Sequence, residues 1–239
     1  SAANDTEKTQ VLAALGITGL TPEQLLTKDV WSEAQSADSA TAAVAQAVQK
    51  ANLQVAAILQ AATELVDTSA SATKATRVVG MVNAVASGLL AQAKAGVSLT
   101  TGDAIEAAMT AAITTYAATI DTTIVVANYT SAITAVTENV VAVVDQIKLL
   151  TDVTAAAAVT YVKEFQTDIL TSISTTVVTV VAAVASGDTT AASTAIAALS
   201  TSVTASLNEA QNTVAAAETT AVTTGYTLPK NITVIETVE

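Results

Sequence analysis

The sequence contains no cysteine and no histidine. That excludes disulfides, thiol nucleophiles, imidazole acid–base catalysis and the usual zinc and haem ligation together. Aromatic residues make up 3% of the chain, so there is no platform for stacking sugar rings. Only 8 Gly and 2 Pro punctuate 239 residues. A β-sandwich or barrel needs turn signals every ~8–12 residues, so the many Val and Thr are not a strand signal here. Basic residues are scarce as well, 9 against 21 acidic ones, for a net charge of −12. A surface of that sign repels phosphate backbones and anionic headgroups, and nucleic acid is not an expected partner. Long apolar runs are missing too. The longest, Val177 to Ala185, is interrupted by Thr179 and falls short of the ~20 residues a bilayer requires, so no transmembrane span is expected.

What the chain does have is apolar periodicity. Half of it is apolar, mostly Ala and Val, and each Ala seals little area, so helices must compensate by touching over many turns. The segment Thr154 to Gly187 carries Val162, Phe165, Ile169, Ile173, Val177, Val180 and Val184 in steps of three or four. That spacing predicts one long helix, closed by Gly187 and central to the fold. Four further stripes read the same way. Val44, Val48, Ala51, Val55, Ile58, Ala62 and Leu65 follow a cap at Asp38, with Gln46, Gln49, Lys50, Gln60 and Glu64 on the remaining faces. After a break at Asp67 to Ser71 come Val78, Val82, Val85, Leu89 and Ala93, ended by Gly96. Gly80 and Gly88 interrupt this helix, and close approach of a neighbour is the expected compensation.

Asp103 with Glu106 predicts a capped start for the stripe Ile105, Met109, Ile113 and Tyr116, with a break near Asp121 to Val126. Ile133, Val136, Val140, Val143, Ile147 and Leu150 form a heptad seam. Past Gly187-Asp188, the positions Ile196, Leu199, Val203, Leu207, Val214 and Ala217 predict a last helix running antiparallel to the central one. At the front, Asn4 and Asp5 precede a short helix with Val11, Leu12 and Leu15, closed by Gly16, and Thr21-Pro22-Glu23-Gln24 is a capping sequence with proline at the first helical position. Thr in a helix can return its hydroxyl to the carbonyl one turn back, which makes so Thr-rich a helix acceptable.

The predicted fold is therefore all-α. It is an elongated bundle of four to six long antiparallel Ala/Val/Thr-rich helices over residues 1–229, with 1–37 as short helices packed on it. Residues 230–239, with Ile232, Val234, Ile235 and Val238 after Pro229, form a short extended tail or linker strand that joins something outside the bundle.

No catalytic or cofactor-binding residue is singled out. Glu138, Asp145 and Asp152 recur every seven residues and line one helix face. They offer a cation site or a solvated face with Lys148 at contact spacing. Calcium is compatible with them, but no calcium-loop motif assigns a metal. Trp31 is expected to anchor the short N-terminal helices. The N-x-Thr triplets at Asn4, Asn128 and Asn231 are about as many as chance supplies in so Thr-rich a chain. Nucleotide-binding and hydrolase motifs do not occur.

The strings Val11-Leu12-Ala13-Ala14-Leu15-Gly16-Ile17 and Lys50-Ala51-Asn52-Leu53-Gln54-Val55-Ala56, with Asp29 between them, resemble a helical segment of very large bacterial exoproteins of the adhesin and calcium-repeat kind. The similarity covers about the first 65 residues and departs from the pattern at Val30, where a proline often stands. It implies an extracellular or cell-surface bacterial module among β-rich neighbours, and the start at Ser1 fits a processed product or excised piece. The expected function is non-catalytic: a spacer or self-assembling subunit that contacts copies of itself or adjacent modules. An α-helical lipid-binding or membrane-active module is the alternative.

Overall fold

The computed structural model describes residues 2–27, 29–33, 38–67, 74–120, 122, 125–148, 160 and 163–223. All regular structure among them is helical. Three short helices come first: α1 (Ala2–Ala14), α2 (Pro22–Thr27) and α3 (Val30–Glu33). The long ones follow as α4 (Ser39–Asp67), α5 (Lys74–Lys94), α6 (Gly102–Thr119), α7 (Thr130–Lys148), α8 (Leu170–Ser186) and α9 (Thr189–Thr223). A 3₁₀ turn, Val126–Tyr129, leads into α7, and a π-helical turn, Phe165–Ile169, leads into α8. The long helices pack antiparallel as expected. The tail 230–239, Asp152, Leu150 and Val162 lie outside the described residues, as do the side chains of Trp31, Val78, Val214 and Ala217.

The helix starts follow from local chemistry. Thr21 and Gln24 satisfy each other reciprocally: the Thr21 N–H donates to Gln24 Oε1 at 2.9 Å and the Gln24 N–H to Thr21 Oγ1 at 3.3 Å. Asp38 accepts from the Ala40 and Thr41 N–H groups, each at 3.3 Å, and from the Thr41 hydroxyl at 2.6 Å, which caps α4. At α6 the capping residue is Thr101, not Asp103, and its hydroxyl accepts from the Ala104 N–H at 3.4 Å. Glu106 does not reach back; it accepts the Thr134 hydroxyl of α7 at 2.7 Å. A threonine two residues upstream won the position because it sits where the backbone is still extended. The first helix also starts earlier than Asn4, at Ala2.

Gly187 ends α8 in the left-handed conformation (φ 76°). The Gly187 N–H reaches the Val184 carbonyl at 3.1 Å and the Asp188 N–H the Ala183 carbonyl at 2.8 Å, the two bonds of a Schellman ending. Asp188 then caps α9 through the Ala191 N–H at 2.9 Å. One glycine and one aspartate thus turn the chain back on itself, and α8 and α9 form the predicted hairpin.

One apolar core runs through the long helices, from Leu53 and Leu65 of α4 to Leu207 and Ala210 of α9. Phe165, Ile169, Ile173, Val177 and Val180 are all buried in it. These positions step by four, four and four before the step of three, and a stride of four drifts ~40° per step around an α-helix. The π turn compensates. Its Leu170 N–H bonds the Phe165 carbonyl five residues back, which takes up more residues per turn and keeps the stripe facing the core. The expected uninterrupted α-helix is therefore broken in its pitch.

Among the described residues, α4 also meets more helices than Leu170–Ser186 does. Helix α4 packs against α3, α5, α6, α7 and α8, whereas α8 contacts α4, α7 and α9. Two polar residues on α4 are buried, Gln54 and Gln49, and Gln49, expected on an outer face, is 7% exposed with no hydrogen-bond partner for either amide atom. A helix enclosed on several sides has too few outward positions for every polar residue it carries.

The glycines do what close approach demands. A Cβ at Gly88 would stand 2.6 Å from the Ala108 carbonyl oxygen, so α5 and α6 meet there backbone to backbone. At Gly80 the neighbour is the Ile120 side chain, 2.9 Å from the same construction.

Candidate functional site

Helix α1 lies along α5 and touches α4 far less extensively. A trough of about 510 Å³ opens between the three. Its α1 wall is Glu7, Lys8, Val11, Leu12 and Leu15, one helix face by their spacing. The α4 wall is Val48, Ala51, Asn52, Val55 and Leu59, and α5 supplies Val82, Val85, Ala86, Leu89 and Leu90. Ile17, Pro22 and Leu99 complete the lining. Leu12 and Ile17 touch Val48 and Ala51 in a small apolar cluster of their own, which holds the N-terminal segment to α4. The Leu99 N–H donates to the Ala14 carbonyl at 2.8 Å and pins the end of α1 to the loop after α5.

Few polar groups line it: Glu7, Lys8 and Asn52. Lys94 of α5 pairs with Glu7, and Lys8 approaches Asp5 at 3.4 Å, both side chains about half exposed. Val82, expected in the buried seam of α5, is 39% exposed because it faces this opening. The sequence carried a signal for it: Val79, Val82, Val85, Ala86, Leu89 and Leu90 cover more of the circumference of α5 than one neighbour can bury.

Of the acidic line, two members fall among the described residues. Glu138 and Asp145 are exposed, and Asp145 accepts from Lys148 Nζ at 2.8 Å. Lys148 also donates to the Thr100 carbonyl at 2.9 Å, and Lys50 to the Lys148 carbonyl at 3.3 Å, so two ammonium groups gather at the C-terminus of α7. Burial holds the Lys50 ammonium below the usual lysine range. Beside the π turn, burial and then Asp168 push the Glu164 carboxyl up. Among the described residues no three carboxylates converge as a metal cage.

The segment Thr167–Ser186 is 20 residues long and apolar enough to cross a membrane by length and composition alone. This differs from the expectation set by uninterrupted runs, because hydropathy averaged over the whole segment outweighs its scattered threonines. Thr167, Thr171, Thr175 and Thr179 each donate to the carbonyl four residues back, at 3.0, 2.6, 3.0 and 2.9 Å. A core helix of a bundle passes the same test, and Ile173, Val177 and Val180 are buried here.

Comparison with protein-family models, with curated proteins and with solved structures finds no match for this chain.

Proposed function

We propose that the chain is a non-catalytic structural and interaction module of an exported bacterial cell-surface protein, serving as a stiff helical spacer or as a self-assembling subunit. The observation that carries this reading is the single core shared by α4 to α9. Helix α9 alone, 35 residues, spans about 52 Å, and a unit whose long helices share one close-packed interior transmits load without a hinge. The surface location rests on the resemblance read in the first 65 or so residues.

Brief protease treatment of intact source cells tests it. An exported module is cleaved from whole cells; a chain protected until lysis would sink the proposal. Light scattering of the purified chain at rising concentration then separates the two forms, since a spacer keeps the mass of one chain and a subunit gains mass.

A further inference from the structure

We infer that the trough between α1, α4 and α5 binds one free long-chain carboxylate, with its alkyl chain on the apolar floor and its head group at Lys8. Val85 and Leu89 form a closed floor, while Val55, Leu59 and Leu90 remain partly open and Val82 is 39% exposed. Three helices thus hold apolar side chains around a concavity that the chain itself leaves unfilled. Its volume, about 510 Å³, falls in the range of roughly 300–1,000 Å³ typical of small-molecule sites. An alkyl chain laid there removes apolar surface from water on both partners.

Charge selects the amphiphile. The chain carries −12 overall, so an anion is repelled except where a cation faces it. Lys8 lines the trough, and its contact with Asp5 is long, at 3.4 Å, and solvent-exposed, hence readily exchanged. Lys94 at the same rim is already engaged by Glu7. Among the described residues lining the trough Lys8 is the cation, and one exchangeable ammonium at one apolar trough suits one carboxylate on one chain. A diacyl lipid brings two chains and a phosphate.

The test uses the full chain with cis-parinarate, fluorescent when shielded from water, displaced by oleate or oleyl alcohol. One oleate per chain is expected, saturating in the micromolar range. Ala86→Trp fills the trough, and Val82→Glu charges a position exposed enough to tolerate it. Each should lower oleate affinity at least tenfold while the dichroism melt stays cooperative. Lys8→Gln should weaken oleate by roughly fivefold, the scale of an exposed ion pair, and leave oleyl alcohol unchanged. Absence of saturable displacement overturns the proposal, as does undiminished binding by whichever trough variant folds. Equal losses for acid and alcohol in Lys8→Gln overturn the role of Lys8. Capture of phosphatidylcholine vesicles that oleate fails to compete assigns the surface to a bilayer and overturns the free-carboxylate reading.

Discussion

At the scale of single residues, the two glycines of α5 separate what helix propensity costs from what packing requires. Alanine gains up to ~1 kcal/mol over glycine inside a helix. At Gly88 that gain meets a backbone carbonyl 2.6 Å from the new methyl group. A backbone cannot step aside as a side chain does, so Gly88→Ala should destabilise by about 1–3 kcal/mol as the helices are forced apart. Gly80→Ala meets Ile120 Cγ1 at 2.9 Å and the Tyr116 ring at 3.3 Å, side-chain atoms of which the 37% exposed Ile120 can turn aside, and should cost less than Gly88→Ala. Paired thermal melts check the contrast, and equal shifts would mean that α5 and α6 do not meet at Gly88. The orphaned amide of Gln49 points the other way. A buried donor and acceptor without partners costs about 1–3 kcal/mol, so Gln49→Met, similar in volume and apolar, should raise stability by ~1 kcal/mol in a denaturant titration.

At the scale of elements, the start of α4 depends on a charge. Asp38 accepts from the Thr41 hydroxyl first and then from the Ala40 and Thr41 N–H groups, which together hold its carboxyl below the usual carboxylate range. Its folded value is depressed, so the stability it contributes is fully present above the unfolded value and is lost as pH falls through the folded one. Hydrogen exchange at Ala40 and Thr41 should therefore lose relative protection on acidification, earlier than the middle of the helix does. Asp38→Asn, a cap without the titration, should flatten that dependence. Glu164 behaves oppositely. Burial and Asp168 raise its carboxyl, so the folded state favours its protonated form, and the resulting penalty appears as pH rises through the unfolded value. Glu164→Gln should raise the melting temperature at neutral pH and leave it unchanged at low pH; a drop at neutral pH would mean that the carboxylate is held by a partner.

At the scale of the whole molecule, one core means one cooperative unit. Ile173 has no exposed surface and lies in the core that joins α4 to α9. Ile173→Asp should cost roughly 4 kcal/mol or more and unfold the chain as a unit. Glu138→Gln, on an exposed face of α7, should leave the melt unchanged. Two separate transitions in the melt of Ile173→Asp would divide the bundle into independent parts.

The sequence by itself determined the helices and most of their inward faces. The stripes of α6 and α7 bury the residues predicted, Ile105, Met109, Ile113 and Tyr116 in one and Ile133, Val136, Val140, Val143 and Ile147 in the other. Helix ends were legible where the chemistry is local, at Thr21 with Gln24, at Asp38 and at Gly187. These succeed because an i, i+4 stripe or a cap involves only residues within a turn of one another. Tertiary structure decided what depends on distant partners. It surrounded α4 with five other helices, enclosed Gln49, gave Thr101 the cap expected of Asp103, and introduced the π turn that keeps Phe165 and Ile173 on one side. It alone made the trough. Lys8, Asn52 and Val82 are more than 20 residues apart in sequence, and each has an ordinary place on its own helix. Only the distance between α1 and α4 turns three half-covered faces into one cavity, and periodicity along a helix carries no information about the gap to its neighbour.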